Sequence, residues 1–166
     1  MSQFTKPIIL HPLKGGKLWV VGEDLVYHVG EENSGEVITV PKHTITDFAS
    51  IPWILYTFIG PPWGEYGPAS LVHDILYQRN GYEPSTGKVY SRRRCDELLK
   101  EASMVLGTPE AKANIMLQAV HTFGMFAWAK HRRGYHRVSR LPTKAWQSPN
   151  DLGEVWIPNE RNIGTN

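Results

Sequence analysis

The chain has 166 residues, 41% of them hydrophobic and 20% charged, with a formal net charge of +2. That length suits one domain with a sizeable core, and the composition excludes wholesale disorder. So small a charge gives no argument for nucleic acid, and the single cysteine, Cys95, excludes an internal disulfide framework and a multi-cysteine zinc site.

The opening MSQFTKPIILHPLKGG lacks the apolar run of about 7–15 residues that a signal peptide needs, so none is expected. KLWVV (17–21) and LVYHV (25–29) are β-branched and aromatic runs separated by Gly22-Glu23-Asp24, which predicts a hairpin. EENSG (31–35) predicts a turn, and EVITV (36–40) a third strand ended by Pro41. Pro52 then opens a short helix, PWILYTFI, that Gly60 and Pro61-Pro62 end. A second helix is expected from about Pro68 to Asn80, closed by Gly81. Ser91 is a natural N-cap for a helix from Arg92 to Leu106, with Gly107 as its stop. In it Cys95, Leu98, Leu99, Ala102, Val105 and Leu106 follow the spacing of a core face, and Cys95 reads as packing rather than a nucleophile. Thr108 caps a further helix with Pro109 at its first position, running to about Lys130. Its apolar stretch is interrupted by Gln118, His121 and Gly124, which predicts a buried helix rather than a membrane span, with His121 a satisfied core histidine. Trp19, Trp53 and Trp128 are expected in the core. Residues 141–166 are rich in Pro, Asn and Gly and read as an extended C-terminal arm. Trp146 and Trp156 in that arm suggest docking onto the domain or another subunit. The expected fold is therefore α+β: one domain over residues 1–140, with a small antiparallel sheet first and then a helical unit whose antiparallel pair carries the site.

VHDILY (72–77) raises the chemical question. On a helix His73 and Tyr77 share one face, while Asp74 sits about 100° around. Arg92 and Asp96 are likewise i, i+4 on the next helix, and the intervening GYEPSTGKVY can reverse the chain. Two antiparallel helices packed at about 8–10 Å bring Asp96 within reach of His73 and Tyr77. A carboxylate that holds one imidazole nitrogen fixes the tautomer and leaves the other nitrogen as a general base. Asp74, in a different sector, can hold a divalent cation, calcium or zinc. In TDFASIP (46–52), Asp47 and Ser50 can cap a turn, and Asp47 can join Asp74 as an oxygen ligand. Arg92 is an anion clamp or a partner to Asp96. AKHRRGYHRVSR (129–140), together with Arg92, Arg93 and Arg94, forms either a phosphate-attracting surface or a solvated helix end.

His73, Asp74, Tyr77 and Asp96 resemble the active-site set of secreted and bacterial phospholipases A2, in which a HDxxY helix packs against a second helix carrying the Asp. The resemblance covers about residues 70–105. It implies His73 as the base that activates water, Asp74 as a calcium ligand, and Tyr77 and Asp96 as the groups that hold His73. The chain departs from that family in having no disulfide framework and no glycine- and cysteine-rich calcium loop; GPPWGEYG (60–67) stands in its place. A longer resemblance joins Val40-Pro41, Thr46 to Pro52, His73-Asp74, Leu76-Tyr77, Arg92, Asp96 and Phe123-Gly124. That combination is similar to a domain-of-unknown-function family encoded mainly by tailed phages and prophages. The family usually has a small residue near position 43, where this chain has His43, which alters the turn or adds a nitrogen ligand.

Together these features lead to an expected phage-encoded hydrolase of an ester or phosphoester bond, acting on a small-molecule or lipid-like substrate. The alternatives are a non-catalytic virion protein, and an intracellular protein that binds a host factor or a phosphorylated ligand. The expected location is the host cytoplasm or the virion, and nucleic acid is not an expected partner.

Overall fold

A computed structural model describes residues 3–12, 19–30, 34–46, 60 and 65–132, with side chains through 129 except that of Gln3. Its strands are β1 (Gln3–Phe4), β2 (Leu10–Pro12), β3 (Trp19–Val21), β4 (Leu25–His28), β5 (Val37–Val40), β6 (Ile45–Thr46), β7 (Tyr82–Glu83) and β8 (Lys88–Val89). Its helices are α1 (Gly67–Gln78), α2 (Arg92–Val105) and α3 (Glu110–Arg132). The α+β expectation holds: small antiparallel sheets come first and helices follow. The expected helix at PWILYTFI and the C-terminal arm lie outside the described residues.

The strands divide into two three-stranded sheets, ordered β1-β4-β5 and β2-β3-β6, and a separate β7-β8 hairpin. The expected β3-β4 hairpin does not form. β3 pairs with β2 and β6, while β4 pairs with β1 and with β5 in the register Leu25↔Val40 to His28↔Val37. Local bonds show why. The Gly22 amide donates to Ile9, and the Lys42 amide donates to the Asp24 carboxylate at 2.7 Å. The short link is thus bound away from its own strands, and the chain passes from one sheet to the other. Of the EENSG segment, Ser34 and Gly35 are described: Ser34 Oγ donates to the Val29 carbonyl and Gly35 sits at φ +73°, between β4 and β5. Strands β1, β2, β7 and β8 are too short to show an alternating pattern, so sequence periodicity misses them.

Tyr27, Ile38 and Val40 from the β4-β5 ladder meet Leu71, Val72 and Leu76 of α1 and Leu98 and Leu99 of α2 in one core. Trp19 and Trp128 pack on its edge, partly buried; Trp53 lies outside the described residues. Burial of these side chains removes apolar surface from water at about 25 cal/mol per Å², which clamps α1 and α2 together. The helix ends follow from sequence. Ser91 Oγ accepts the Arg94 amide at 3.2 Å, and Gly81 (φ +81°) closes α1 by donating to the Leu76 carbonyl. His43 occupies a left-handed position at φ +66°, a conformation that favours glycine, which gives the departure at this position its physical meaning.

Candidate functional site

α1 and α2 lie against each other so that one carboxylate collects four partners. Asp96, fully buried, receives the Tyr77 hydroxyl at 2.5 Å and approaches His73 Nε2 at 3.2 Å, both through Oδ1. Its Oδ2 receives Arg92 Nη1 and meets His121 Nδ1, each at 3.1 Å. An ionised carboxylate has about four lone-pair sites, so its capacity is filled. It can only accept, which places the hydrogens on His73 Nε2 and His121 Nδ1. The neutral tautomer of His73 therefore has Nδ1 as its basic nitrogen.

That nitrogen faces Asp74 Oδ1 at 3.8 Å, and Asp74 Oδ2 in turn accepts from Thr46 Oγ1 at 3.2 Å. The Tyr77 ring lies tilted against His73, with centroids 4.1 Å apart, and meets Trp128 edge-on at 5.0 Å. Gly124 is what lets α3 approach: a Cβ there would collide with the Tyr77 hydroxyl. This gives the Phe123-Gly124 pair a role, since the glycine admits the tyrosine while Phe123 is exposed.

The electrostatics are those of a buried ion pair. Burial opposes ionisation of Asp96, but hydrogen bonds to His73 and Tyr77 and the charges of His73 and Arg92 outweigh it and lower its pKa. Burial likewise disfavours the His73 imidazolium, but the Asp74 and Asp96 carboxylates beside it outweigh that and raise its pKa. Burial, and then the bond to Asp96, push the Tyr77 phenol up, so it stays a donor. Burial pushes the Cys95 thiol up to about 12, which suits its reading as a packing residue.

Of the residues singled out by sequence, His73, Asp74, Tyr77, Arg92 and Asp96 come together. Asp47 and Ser50 lie outside the described residues. Arg92 bonds Asp96, which matches the partner role of its two expected roles. Arg93 and Arg94 are also paired, with Glu97 and with Glu97 and Glu101, so the three arginines are committed to carboxylates. Among the described residues no group of three or more His, Cys, Asp or Glu is placed to hold a metal. Asp74 offers one carboxylate, well short of the roughly six oxygens that calcium takes.

His121 is the residue that sequence reasoning misplaced. It is not a core histidine: its side chain is 42% exposed and it is bonded to Asp96. The signal was its position one residue past buried Val120, one turn before Gly124 and two turns before Trp128, on the shoulder of the face that meets α1.

A family model described as "Protein of unknown function (DUF1353)" matches residues 19–120. The chain is also 31% identical over 84 residues to the "Uncharacterized protein y4iH" of Sinorhizobium fredii, an alignment covering 50% of this chain and 32% of that protein. The chain thus spans about a third of the length of that curated relative. No solved structure matches it significantly. Among the described residues no helix is long and apolar enough to cross a membrane.

Proposed function

The chain belongs to the DUF1353 family of proteins of unknown function, and from that premise we propose that it is a hydrolase of ester or phosphoester bonds. The observation that carries this reading is the double engagement of Asp96 Oδ1 by His73 Nε2 and the Tyr77 hydroxyl. The carboxylate fixes the imidazole, and His73 Nδ1 takes a proton from water as the water attacks the substrate. Tyr77 and Asp96 position the base, and Arg92 holds the far oxygen of Asp96. These are the roles implied by the likeness to the phospholipase A2 helix pair, in which a lipid-like substrate fits. In the metal-assisted form of this reading Asp74, together with Asp47, would hold a divalent cation, which would supply Lewis-acid polarisation of the scissile group.

We further infer a phage or prophage source. It rests on the joint occurrence of Val40-Pro41, TDFASIP, HDILY, Arg92 with Asp96, and Phe123-Gly124.

The test is hydrolysis of chromogenic carboxylic and phosphoric esters by the purified protein, with and without calcium or zinc. His73→Ala and Asp96→Asn should each lower turnover by about 10²–10⁴-fold, the usual contribution of a positioned acid or base. Unchanged hydrolysis in both folded variants would end the proposal.

A second reading is favoured by burial: His73, Asp74 and Asp96 are all buried, which also suits a polar brace in a non-catalytic virion protein. Stoichiometric copies in purified particles would support that reading, and absence from particles would count against it.

A further inference from the structure

Asp96 serves two imidazoles, one from each side. His73 is 3% exposed, and its free nitrogen faces Asp74. His121 is 42% exposed, and its Nδ1 is the nitrogen that meets Asp96. Because Asp96 can only accept, Nδ1 of His121 carries the hydrogen and the neutral ring presents a basic Nε2. No protein group bonds that nitrogen among the described residues. The ring is held from its own backbone as well, since Arg92 Nη1 donates to the His121 carbonyl at 3.2 Å. The charged and titratable groups that face it are Asp96 and Arg92 of α2, with His73 and Tyr77 of α1 on the other oxygen of the same carboxylate.

A general base must come within about 2.6–3.2 Å of the proton it removes. His121 is open to that approach on its own, solvent-facing side of Asp96, independently of His73. The carboxylate on the far ring nitrogen fixes the tautomer and the orientation of the ring. We propose that His121 and Asp96 form a second, solvent-facing acid–base dyad, in which His121 Nε2 meets the substrate directly.

The step balances without a further reactant. Neutral Nε2 takes a proton from water, and the water oxygen bonds to the ester carbonyl carbon or to phosphorus. The bond to the leaving oxygen breaks, and the proton on Nε2 passes to that oxygen. Because its base is open, the dyad suits a water-borne ester or phosphoester. It deepens the hydrolase reading and rests on it for the reaction class.

The experiment is stoichiometric and needs no natural substrate. Diethylpyrocarbonate reacts with a neutral imidazole: Nε2 attacks a carbonyl carbon, an N–C bond forms, the anhydride C–O bond breaks, ethyl carbonate leaves, and the ring sheds its Nδ1 proton. Rates at each histidine of the folded protein are read by peptide mass spectrometry across pH, and the constant of the neutral ring is extracted. His121 should react several-fold faster than N-acetylhistidine, with His73 unmodified, and Asp96→Asn should bring His121 back to the N-acetylhistidine rate. A His121 constant at or below that of N-acetylhistidine overturns the dyad, and this comparison stands on the wild-type protein even where Asp96→Asn does not fold. An activated His121 in a protein that turns over no ester would instead contradict the hydrolase reading and leave the dyad standing.

Discussion

Glu83 and Asp96 are the two most deeply buried carboxylates among the described residues, and they are surrounded differently. Glu83, in β7, is 1% exposed and sits in a knot that ties the β7-β8 hairpin to the sheet. Its Oε2 accepts from Arg79 at 3.2 Å and from the Thr39 amide at 3.3 Å, and its Oε1 from the Ser85 amide and hydroxyl at 3.0 and 2.7 Å. Arg79 closes the knot by donating to the Thr39 carbonyl at 3.2 Å. Asp96 is as deeply buried and as well bonded, yet two of its four partners, His73 and His121, are imidazoles, and a third, Tyr77, is a phenol held as a donor. Full hydrogen bonding is what a buried charge needs in order to persist. It does not require titratable partners. Glu83 shows how this fold builds a brace, from an arginine, a serine and backbone amides, and against that standard the Asp96 network has the composition of a site that handles protons.

The contrast can be broken first by removing each acid. Asp96→Ala strands a buried imidazole and the Arg92 charge, and should cost about 3–5 kcal/mol of stability in urea titrations. Glu83→Ala should cost less, about 1–3 kcal/mol, because it strands one cation, Arg79, where Asp96→Ala strands Arg92 and two imidazoles. A larger loss at Glu83 would invert the ranking.

Gly124→Ala comes next. Its methyl group meets the Tyr77 hydroxyl, so about 1–3 kcal/mol of overpacking is expected, with α3 displaced from the Asp96 network and the Glu83 knot untouched.

The pH response sharpens the comparison further. The Asp96 pKa is lowered from its ordinary 3.8, so its contribution is present above that value and is lost as pH falls through the lower folded value. The His73 pKa is raised from 6.5, so its contribution is full below that value and is lost as pH rises through the higher folded value. The melting temperature of the wild-type protein should therefore be highest between about 4 and 6.5. Asp96→Asn should flatten that curve, and Glu83→Gln should preserve its shape. A curve unchanged by Asp96→Asn would show that the network does not govern the response. The smallest effect is expected at Arg93, whose exposed pair with Glu97 should be worth at most about 0.5 kcal/mol in Arg93→Ala.

What the sequence revealed followed from local rules. The i, i+4 spacing of His73 and Tyr77, the Ser91 cap and the glycines at 81 and 107 placed α1 and α2 and brought Asp96 to His73. Long-range choices were hidden. β3 takes β2 and β6 as partners, with Gly22 bonded to Ile9 and Val21 to Thr44, and no period in KLWVV encodes those bonds. His121 bonds Asp96 from 25 residues away, and its place depends on α3 closing on Tyr77 at Gly124. The Glu83 knot passed unnoticed for the same reason, since its partner Thr39 is 44 positions distant.

The most direct test of the central claim compares ester hydrolysis in the wild-type protein, His73→Asn, Asp96→Asn and Glu83→Gln, each at a temperature where it is fully folded. The account predicts that kcat/KM falls about 10²–10⁴-fold in the first two variants and stays within a few-fold of wild type in Glu83→Gln. Equal losses at Glu83 and Asp96, in proportion to lost stability, would contradict it and make both carboxylates braces.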